Sequence, residues 1–192
     1  MGPAAFEAQF GLGEWDEVVQ RRKPLLPTDI FTQSLDAIQT HAERFNSPKM
    51  QAVMHKRRLL LASSDVHEHA IFVLQELLSQ AGAEVISLGA EQNPADVVAA
   101  AERHNVEAIL ISTHNGMALD YAQRLQATMA AQSVELPVLM GGVLNQKVEN
   151  EALPVDVTAD LKKLGIQPVA RLDSSWQTLL PAKTKEKLDG SV

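Results

Sequence analysis

The sequence predicts an α/β fold, built on a doubly wound parallel sheet with an N-terminal helical extension. Apolar runs of strand length alternate with segments whose apolar residues recur at helical spacing. The connections between them are short, and the strand-length runs are apolar almost throughout, as in strands buried on both faces. Alternation of this kind is typical of a parallel sheet covered by helices on both sides.

The N-terminal region, residues 1–56, is predicted to be an arm followed by two helices. Apolar positions at intervals of three and four predict a helix beginning at about Asp29, and Pro48 opens a second helical piece. We expect this pair to form an amphipathic cap or a subunit contact. Its two histidines, His41 and His55, are expected on the solvated face.

The α/β domain is predicted at residues 57–180, with a C-terminal tail at 181–192. Its five strands are expected at Arg58–Ala62, Glu84–Leu88, Glu107–Ser112, Pro137–Met140 and Gln167–Leu172. The other elements are expected to be a helix ending at Gly82, a helix opened by Asn93-Pro94, a helix at Ala118–Ala131, a polar loop at Asn145–Pro154 and a short helix at Val157–Leu164 capped by Asp156.

Composition excludes several classes of function. With a formal net charge of -7, the chain lacks the clustered Lys and Arg that nucleic acids and anionic membranes require. The absence of cysteine excludes disulfide frameworks, thiolate nucleophiles and zinc–thiolate sites. No apolar run has the length of a membrane span. We therefore expect a soluble cytoplasmic protein that binds neither nucleic acid nor membranes.

The first predicted strand is followed directly by a polar loop that contains Asp65, His67, Glu68 and His69. In open α/β sheets, ligands bind outside the carboxyl ends of the strands, which places chemistry at this loop. Asp65 can accept a hydrogen bond from one nitrogen of His67, leaving the other as an oriented electron donor. The residues alone leave two alternatives open: Asp65 caps the next helix, or both side chains join His69 and His114 in a metal site.

Two further loops are expected at the same place. A flavodoxin-like (Rossmann-like) strand order puts the switch point between the first and third strands, so Asp65–His67 and Ser112–His114 lie on either side of one crevice. Gly141-Gly142, after the fourth strand, forms its floor. The sequence shows no Gly-x-Ser-x-Gly elbow, phosphate loop or dinucleotide fingerprint.

Together, Asp65-Val66-His67-Glu68-His69-Ala70, Ser112 and Gly141-Gly142-Val143 resemble the cobalamin-binding domain of vitamin B12-dependent mutases and methyltransferases. The family pattern is Asp-x-His-x-x-Gly, then Ser-x-Leu, then Gly-Gly. This chain departs from it at Ala70, where the family has Gly, and at His114, where the family has Leu. The resemblance covers roughly residues 57–172.

The resemblance implies that His67 is the lower axial ligand of cobalt, in place of the cofactor's own dimethylbenzimidazole, and that Asp65 orients it. Ser112 would hydrogen-bond a ring nitrogen of the displaced nucleotide tail. Gly141 and Gly142 would leave room for that tail. The other implied cofactor-binding residues are Glu68, His69, Ala70, Thr113 and His114; His69 either contacts a corrin amide or is solvated.

The resemblance also implies a function. It favours a cobalamin-binding subunit, inactive alone, that presents adenosylcobalamin to the larger barrel subunit of a radical mutase, an isomerase. The chain is too short for a barrel of about 250 residues. The two-helix arm and the segment around Trp176 are then expected to dock that partner. The alternatives are a corrinoid protein of a methyltransferase system, with methylcobalamin, and a non-catalytic cobalamin sensor or carrier. The chain could also form a homo-oligomer.

Overall fold

The computed structural model describes residues 29–149, 151–169, 176 and 180. The helices are α1 (Asp29–Phe45), α2 (Pro48–Met54), α3 (His69–Gln80), α4 (Pro94–Arg103), α5 (Ala118–Ala131) and α6 (Thr158–Lys163). The strands are β1 (Arg58–Ser63), β2 (Glu84–Gly89), β3 (Ala108–Thr113), β4 (Val138–Gly142), β5 (Asn145–Gln146), β6 (Val155–Asp156) and β7 (Ile166–Val169).

The chain divides into two compact units, residues 1–32 and 33–192. Of the first unit, only the opening residues of α1 are described. The predictions for the N-terminal arm and for the tail at 181–192 concern residues outside the described part of the chain.

The main sheet confirms the predicted fold class. Its five strands lie in the order β2-β1-β3-β4-β7, and every pair of neighbours is parallel. The chain moves outward from β1 to β2 and then returns to place β3 on the other side of β1. The switch point is therefore between β1 and β3, and the loops after both strands open at the same edge of the sheet.

Side chains that alternate along the strands build a core on each face of the sheet. One face packs under α4, α5 and α6 through Leu60, Ile109, Ile111 and Met140. The opposite face meets α1, α2 and α3 with a second set of buried side chains, among them Leu59, Leu61, Leu110, Leu139, Met50, Met54 and Leu77. The sheet is thus covered on both sides, which explains its nearly continuous apolar strands.

Local signals place several helix ends where they were predicted. Asn93 Oδ1 accepts a hydrogen bond from the Asp96 backbone N–H at 3.0 Å, which caps α4, and Pro94 occupies its first turn. Gly82 follows α3 with a φ of +93°, a conformation that suits glycine at a helix end. The predicted range of α5 is confirmed.

Three local predictions were wrong. The expected loop at Asn145–Pro154 contains β5, which pairs antiparallel with β6, and Gln146 Oε1 accepts from two backbone N–H groups at the start of α5, each at 3.1 Å. Strand β4 continues through the two glycines instead of stopping before them. Asp156 Oδ1 accepts from the Thr158 N–H at 3.0 Å but is not the capping residue of α6, whose cap position is Val157.

Trp176 was expected to help dock a partner, but it belongs to the core of this chain. Its side chain is 2% exposed, and its ring meets Phe45 edge to face at 5.5 Å between centroids. A buried indole of this kind stabilises the fold by removing a large apolar surface from water. Trp176 therefore offers no docking surface. Within the described residues, no helix is both long and apolar enough to cross a membrane.

Candidate functional site

Asp65 connects the loops that follow β1 and β3. Its Oδ1 accepts hydrogen bonds from the His67 backbone N–H at 3.0 Å and from the His67 ring Nδ1 at 2.7 Å. Its Oδ2 accepts from the His114 backbone N–H at 2.5 Å. The carboxylate is almost fully buried, at 6% exposure, so these bonds replace its contacts with water.

The electrostatics of Asp65 follow from these contacts. Burial raises the pKa of the Asp65 carboxyl, but the hydrogen bonds from the backbone of His114 and from the backbone and ring of His67 outweigh it, so the pKa lies below its ordinary value. Asp65 is consequently a carboxylate at neutral pH. In the neutral ring of His67, Nδ1 then holds the proton and Nε2 has the free lone pair.

The position of His67 suits a ligand. Its side chain is 56% exposed although Asp65 beneath it is buried, so the ring stands at the surface with a fixed orientation. A carboxylate behind a histidine is the arrangement that orients metal-ligating imidazoles. Asp65 does not cap α3: that helix begins at His69, and the cap position, Glu68, makes no side-chain capping bond.

The histidines predicted for a shared metal site separate into two places. The His114 ring lies 5.3 Å from the His67 ring, and ligand atoms of these two residues and Asp65 lie within 4.8 Å of one another. His69 is elsewhere, with its Nδ1 2.9 Å from Ser34 Oγ of α1. The four-residue metal site is therefore not assembled, and only three of its members meet.

A cavity of about 280 Å³ lies between the sheet, α3 and α1. Its lining combines sheet residues with residues of both helices and Trp176: Ala37, His41, His69, Ala70, Val73, Leu74, Leu110, Ile111, Ser112, Leu139, Gly141, Gly142, Val169 and Trp176. Ser112 and Gly141 are register partners on neighbouring strands. Two small residues side by side leave the space that larger side chains would fill.

The two glycines of β4 cannot be replaced without moving their neighbours. Gly142 has a φ of +99°, and an added Cβ would overlap the carbonyl oxygen of Thr113. A Cβ on Gly141 would lie 3.1 Å from the carbonyl oxygen of Val169. Gly142 thus requires a residue without a side chain, whereas a side chain at position 141 would require Val169 to shift by a few tenths of an ångström.

Ser112 is buried at 2% exposure, and its Oγ has no hydrogen-bond partner among the described residues. Leaving a buried hydroxyl unpaired is unfavourable, by about 1–3 kcal/mol. A ligand in the cavity with a hydrogen-bonding ring atom would satisfy it. This orphan hydroxyl and the glycine cradle fit the nucleotide tail that the resemblance implies.

The remaining predicted residues fall in different places. Ala70 is half-buried in the first turn of α3 and lines the cavity, with an ordinary negative φ. Glu68 is exposed. Thr113 is buried outside the cavity lining, because alternation along β3 turns it to the opposite face from Ser112. His41, expected to be solvated, is half-buried and lines the cavity, so that prediction was wrong.

A second, more open hollow of about 420 Å³ lies on the α4 and α5 side of the loop. It is lined by Asp65 and His67 together with polar residues that sequence reasoning missed: Gln92, Asn93, Asn115, Tyr121 and Arg124. Tyr121 Oη donates to the Gln92 carbonyl at 2.9 Å. No local motif marks these residues, because only the fold brings the starts of α4 and α5 beside the loop.

Comparison with known proteins agrees with this geometry. The family model described as the B12 binding domain matches residues 58–161, which include β1 to β4 and the whole Asp65–His67 loop. The chain belongs to the B12-binding domain family. The resemblance inferred from three short motifs is thereby confirmed over more than half of the sequence.

Relatives of this B12-binding chain include mutase subunits. Glutamate mutase sigma subunit 1 of Haloarcula marismortui is 35% identical over 81 residues, 42% of this chain and 54% of the relative. The 2-hydroxyisobutanoyl-CoA mutase small subunit of Aquincola tertiaricarbonis is 27% identical over 126 residues, 64% of this chain and 86% of the relative. The chain thus spans about half the length of the first relative.

A solved structure, a cobalamin-binding protein from Desulfitobacterium hafniense, aligns with a TM-score of 0.51 and 18% identity. The alignment covers 66% of this chain and 60% of the solved chain. At this level of identity the likeness supports the fold alone.

Proposed function

We propose that this chain is a cobalamin-binding subunit that holds the cofactor base-off, with His67 as the lower axial ligand of cobalt. The observation that carries the proposal is the exposed His67 ring, held at 2.7 Å by the buried carboxylate of Asp65. A cavity at the same end of the sheet, lined by Ser112 and Gly141, would suit a nucleotide tail.

His67 and Asp65 divide the work of ligation. The exposed ring of His67 would offer Nε2 as the donor atom, and Asp65 accepts a hydrogen bond from Nδ1–H, which fixes the tautomer and raises the basicity of Nε2. Because the carboxylate is also held by the His114 N–H, it keeps its place whether or not His67 is coordinated. The lower ligand is thus oriented before the cofactor binds.

The cavity would receive the displaced tail. Ser112 Oγ, unpartnered among the described residues, would donate to a ring nitrogen, and Gly141 lets the tail approach the backbone of β4. Ala70 and His69 form the wall at the start of α3. The exposed Glu68 and His114, whose ring lies 5.3 Å from the His67 ring, would contact the corrin. The Thr113 carbonyl accepts a hydrogen bond from the Val143 N–H at 2.7 Å and so holds the backbone next to His114.

The partner is proposed from the relatives. Relatives named as sigma or small subunits of mutases support a larger catalytic subunit, with adenosylcobalamin as the favoured cofactor and an isomerase reaction. When bound, adenosylcobalamin supplies a weak cobalt–carbon bond that generates radicals. This chain would bind and orient the cofactor and would be inactive alone. Four further expectations stay predictions: that the partner is a barrel, that the chain forms a homo-oligomer, that it is cytoplasmic, and that the domain limits lie at residues 57 and 180.

Absorption spectroscopy of the purified chain with adenosylcobalamin and methylcobalamin tests the proposal. We expect both to bind in the base-off form with a histidine ligand. In His67→Ala the histidine-ligated spectrum should disappear, whereas His104→Ala, at an exposed histidine after α4, should keep it. Failure of the wild-type chain to bind either cofactor would refute the function, and an unchanged His67→Ala spectrum would refute the ligand.

Affinity purification from the native cells distinguishes the possible partners. Recovery of a mutase large subunit, with isomerase activity restored on adding adenosylcobalamin, is the expected result. Recovery of a methyltransferase instead would assign the chain to a corrinoid methyl-transfer system. Binding of cobalamin without any catalytic partner would favour a sensor or carrier.

A further inference from the structure

One wall of the cavity comes from outside the matched B12-binding domain. Helix α1 contributes Ala37 and His41, and neither belongs to the residues 58–161 that define the family. His41 is half-buried, and its Nδ1 is buried with no hydrogen-bond partner among the described residues. An imidazole nitrogen in such a place is costly unless something in the cavity satisfies it.

Two residues on separate walls of the cavity thus each carry a buried polar atom that has no hydrogen-bond partner among the described residues. Ser112 Oγ belongs to β3 and His41 Nδ1 belongs to α1, while most of the remaining lining is apolar, including Leu110, Leu139 and Val169. A neutral imidazole can donate or accept, and a hydroxyl can do both. Two such groups in a mostly apolar cavity favour a ligand that has an apolar body and more than one polar atom.

The α1 wall is held in place, so that it can discriminate between ligands. Ser34 Oγ lies 2.9 Å from His69 Nδ1 and ties α1 to the start of α3. At its other end, Phe45 packs against the buried Trp176. A wall fixed at two points holds His41 at a defined position instead of letting it adapt to any occupant.

We propose that His41 hydrogen-bonds the base of the nucleotide tail and makes this pocket selective for purine-type cobamides, such as the adeninyl form. This inference rests on the proposed function. A benzimidazole in the tail has one free ring nitrogen, which Ser112 satisfies, so His41 would remain unpaired in that complex. Adenine adds an amino group and further ring nitrogens, and these give His41 a partner. A site with buried polar groups disfavours a ligand that leaves them unpaired.

Titration of the full chain with three corrinoids tests this inference. The ligands are adeninylcobamide, cobalamin and cobinamide, which has no nucleotide tail. In His41→Leu, the affinity for adeninylcobamide should fall about tenfold, that for cobalamin less than about threefold, and that for cobinamide should not change. His41→Gln, which keeps a hydrogen-bonding group, should restore part of the loss. His104→Leu, at an exposed histidine just after α4, serves as the matched control.

The outcomes separate the two proposals. If the wild-type chain binds none of the three corrinoids, the proposed function fails and this inference fails with it. If the wild-type chain binds cobalamin but His41→Leu weakens all three ligands equally, or none of them, the function stands and the role of His41 is refuted. Circular dichroism of each variant confirms that α1 and the sheet remain folded.

Discussion

The two faces of the sheet differ at the ends of the same strands. Under α4 and α5, Ile111 and Met140 are buried at 2% and 0% exposure and fill the space between the layers. One residue further along each strand, Ser112 and Gly141 face α1 and α3, and a cavity lies there instead. The same backbone thus supports a packed core on one side and a binding pocket on the other. The difference is produced by side-chain size at adjacent positions.

Shortening a buried side chain on the packed face, under α4 and α5, should cause the largest loss of stability. In Ile109→Ala, a fully buried position of β3 on this face that does not line the cavity, the free energy of unfolding should fall by about 2–5 kcal/mol, because a buried branched side chain is replaced by a void. The affinity of the folded fraction for cobalamin should be unchanged. Urea denaturation followed by circular dichroism measures the first quantity, and titration with the cofactor measures the second. A large affinity loss in the folded protein would show that the two faces are not independent.

Asp65, at the edge shared by both faces, should show the next effect. Asp65→Asn removes the charge that its three hydrogen-bond donors favour, so the free energy of unfolding should fall by about 1–3 kcal/mol. The folded-state pKa of Asp65 is lowered, so its contribution is present above the unfolded carboxyl pKa of about 3.9 and is lost as the pH falls through the lower folded value.

Denaturation midpoints measured from neutral pH down to strongly acidic pH check this sign. The wild-type chain should lose more stability than Asp65→Asn on acidification below about pH 4. Parallel curves for the two proteins would contradict the assignment of a lowered pKa to Asp65.

On the α1 and α3 side of the sheet, where the cavity lies, a substitution should lower cofactor affinity more than stability. Ser112→Ala removes an unpartnered buried hydroxyl, so stability should be unchanged or slightly higher. Cobalamin affinity should fall at least about tenfold, because the tail loses its donor. Calorimetric titration and urea denaturation on the same sample measure both. A stability loss as large as that of Ile109→Ala would mean that Ser112 belongs to the core.

The departure at Ala70 should have the smallest effect. Ala70→Gly restores the family residue and removes a methyl group from the cavity wall, so cobalamin affinity should rise by no more than about threefold. Because Ala70 lies in α3, the glycine should also cost about 0.5–1 kcal/mol of stability. Parallel titration of the two proteins checks this. A lower affinity in Ala70→Gly would show that the methyl group contributes to binding.

The contrast between faces also explains what the sequence could predict. Strand periodicity and the switch-point rule were enough to bring Asp65, Ser112 and Gly141 to one edge, since these depend on backbone topology. The β5–β6 pair was missed because each strand has two residues and their pairing joins separated segments. The place of His41 was also missed, because local periodicity does not reveal where a helix outside the sheet packs.

The most direct test of the central claim is electron paramagnetic resonance of cob(II)alamin bound to the chain labelled with ¹⁵N-histidine. If His67 Nε2 is the lower ligand, the nitrogen superhyperfine splitting should change from a triplet in unlabelled protein to a doublet in labelled protein, and His67→Ala should abolish it. A triplet that persists after labelling would show that the cofactor keeps its own base, and would contradict the assignment of His67.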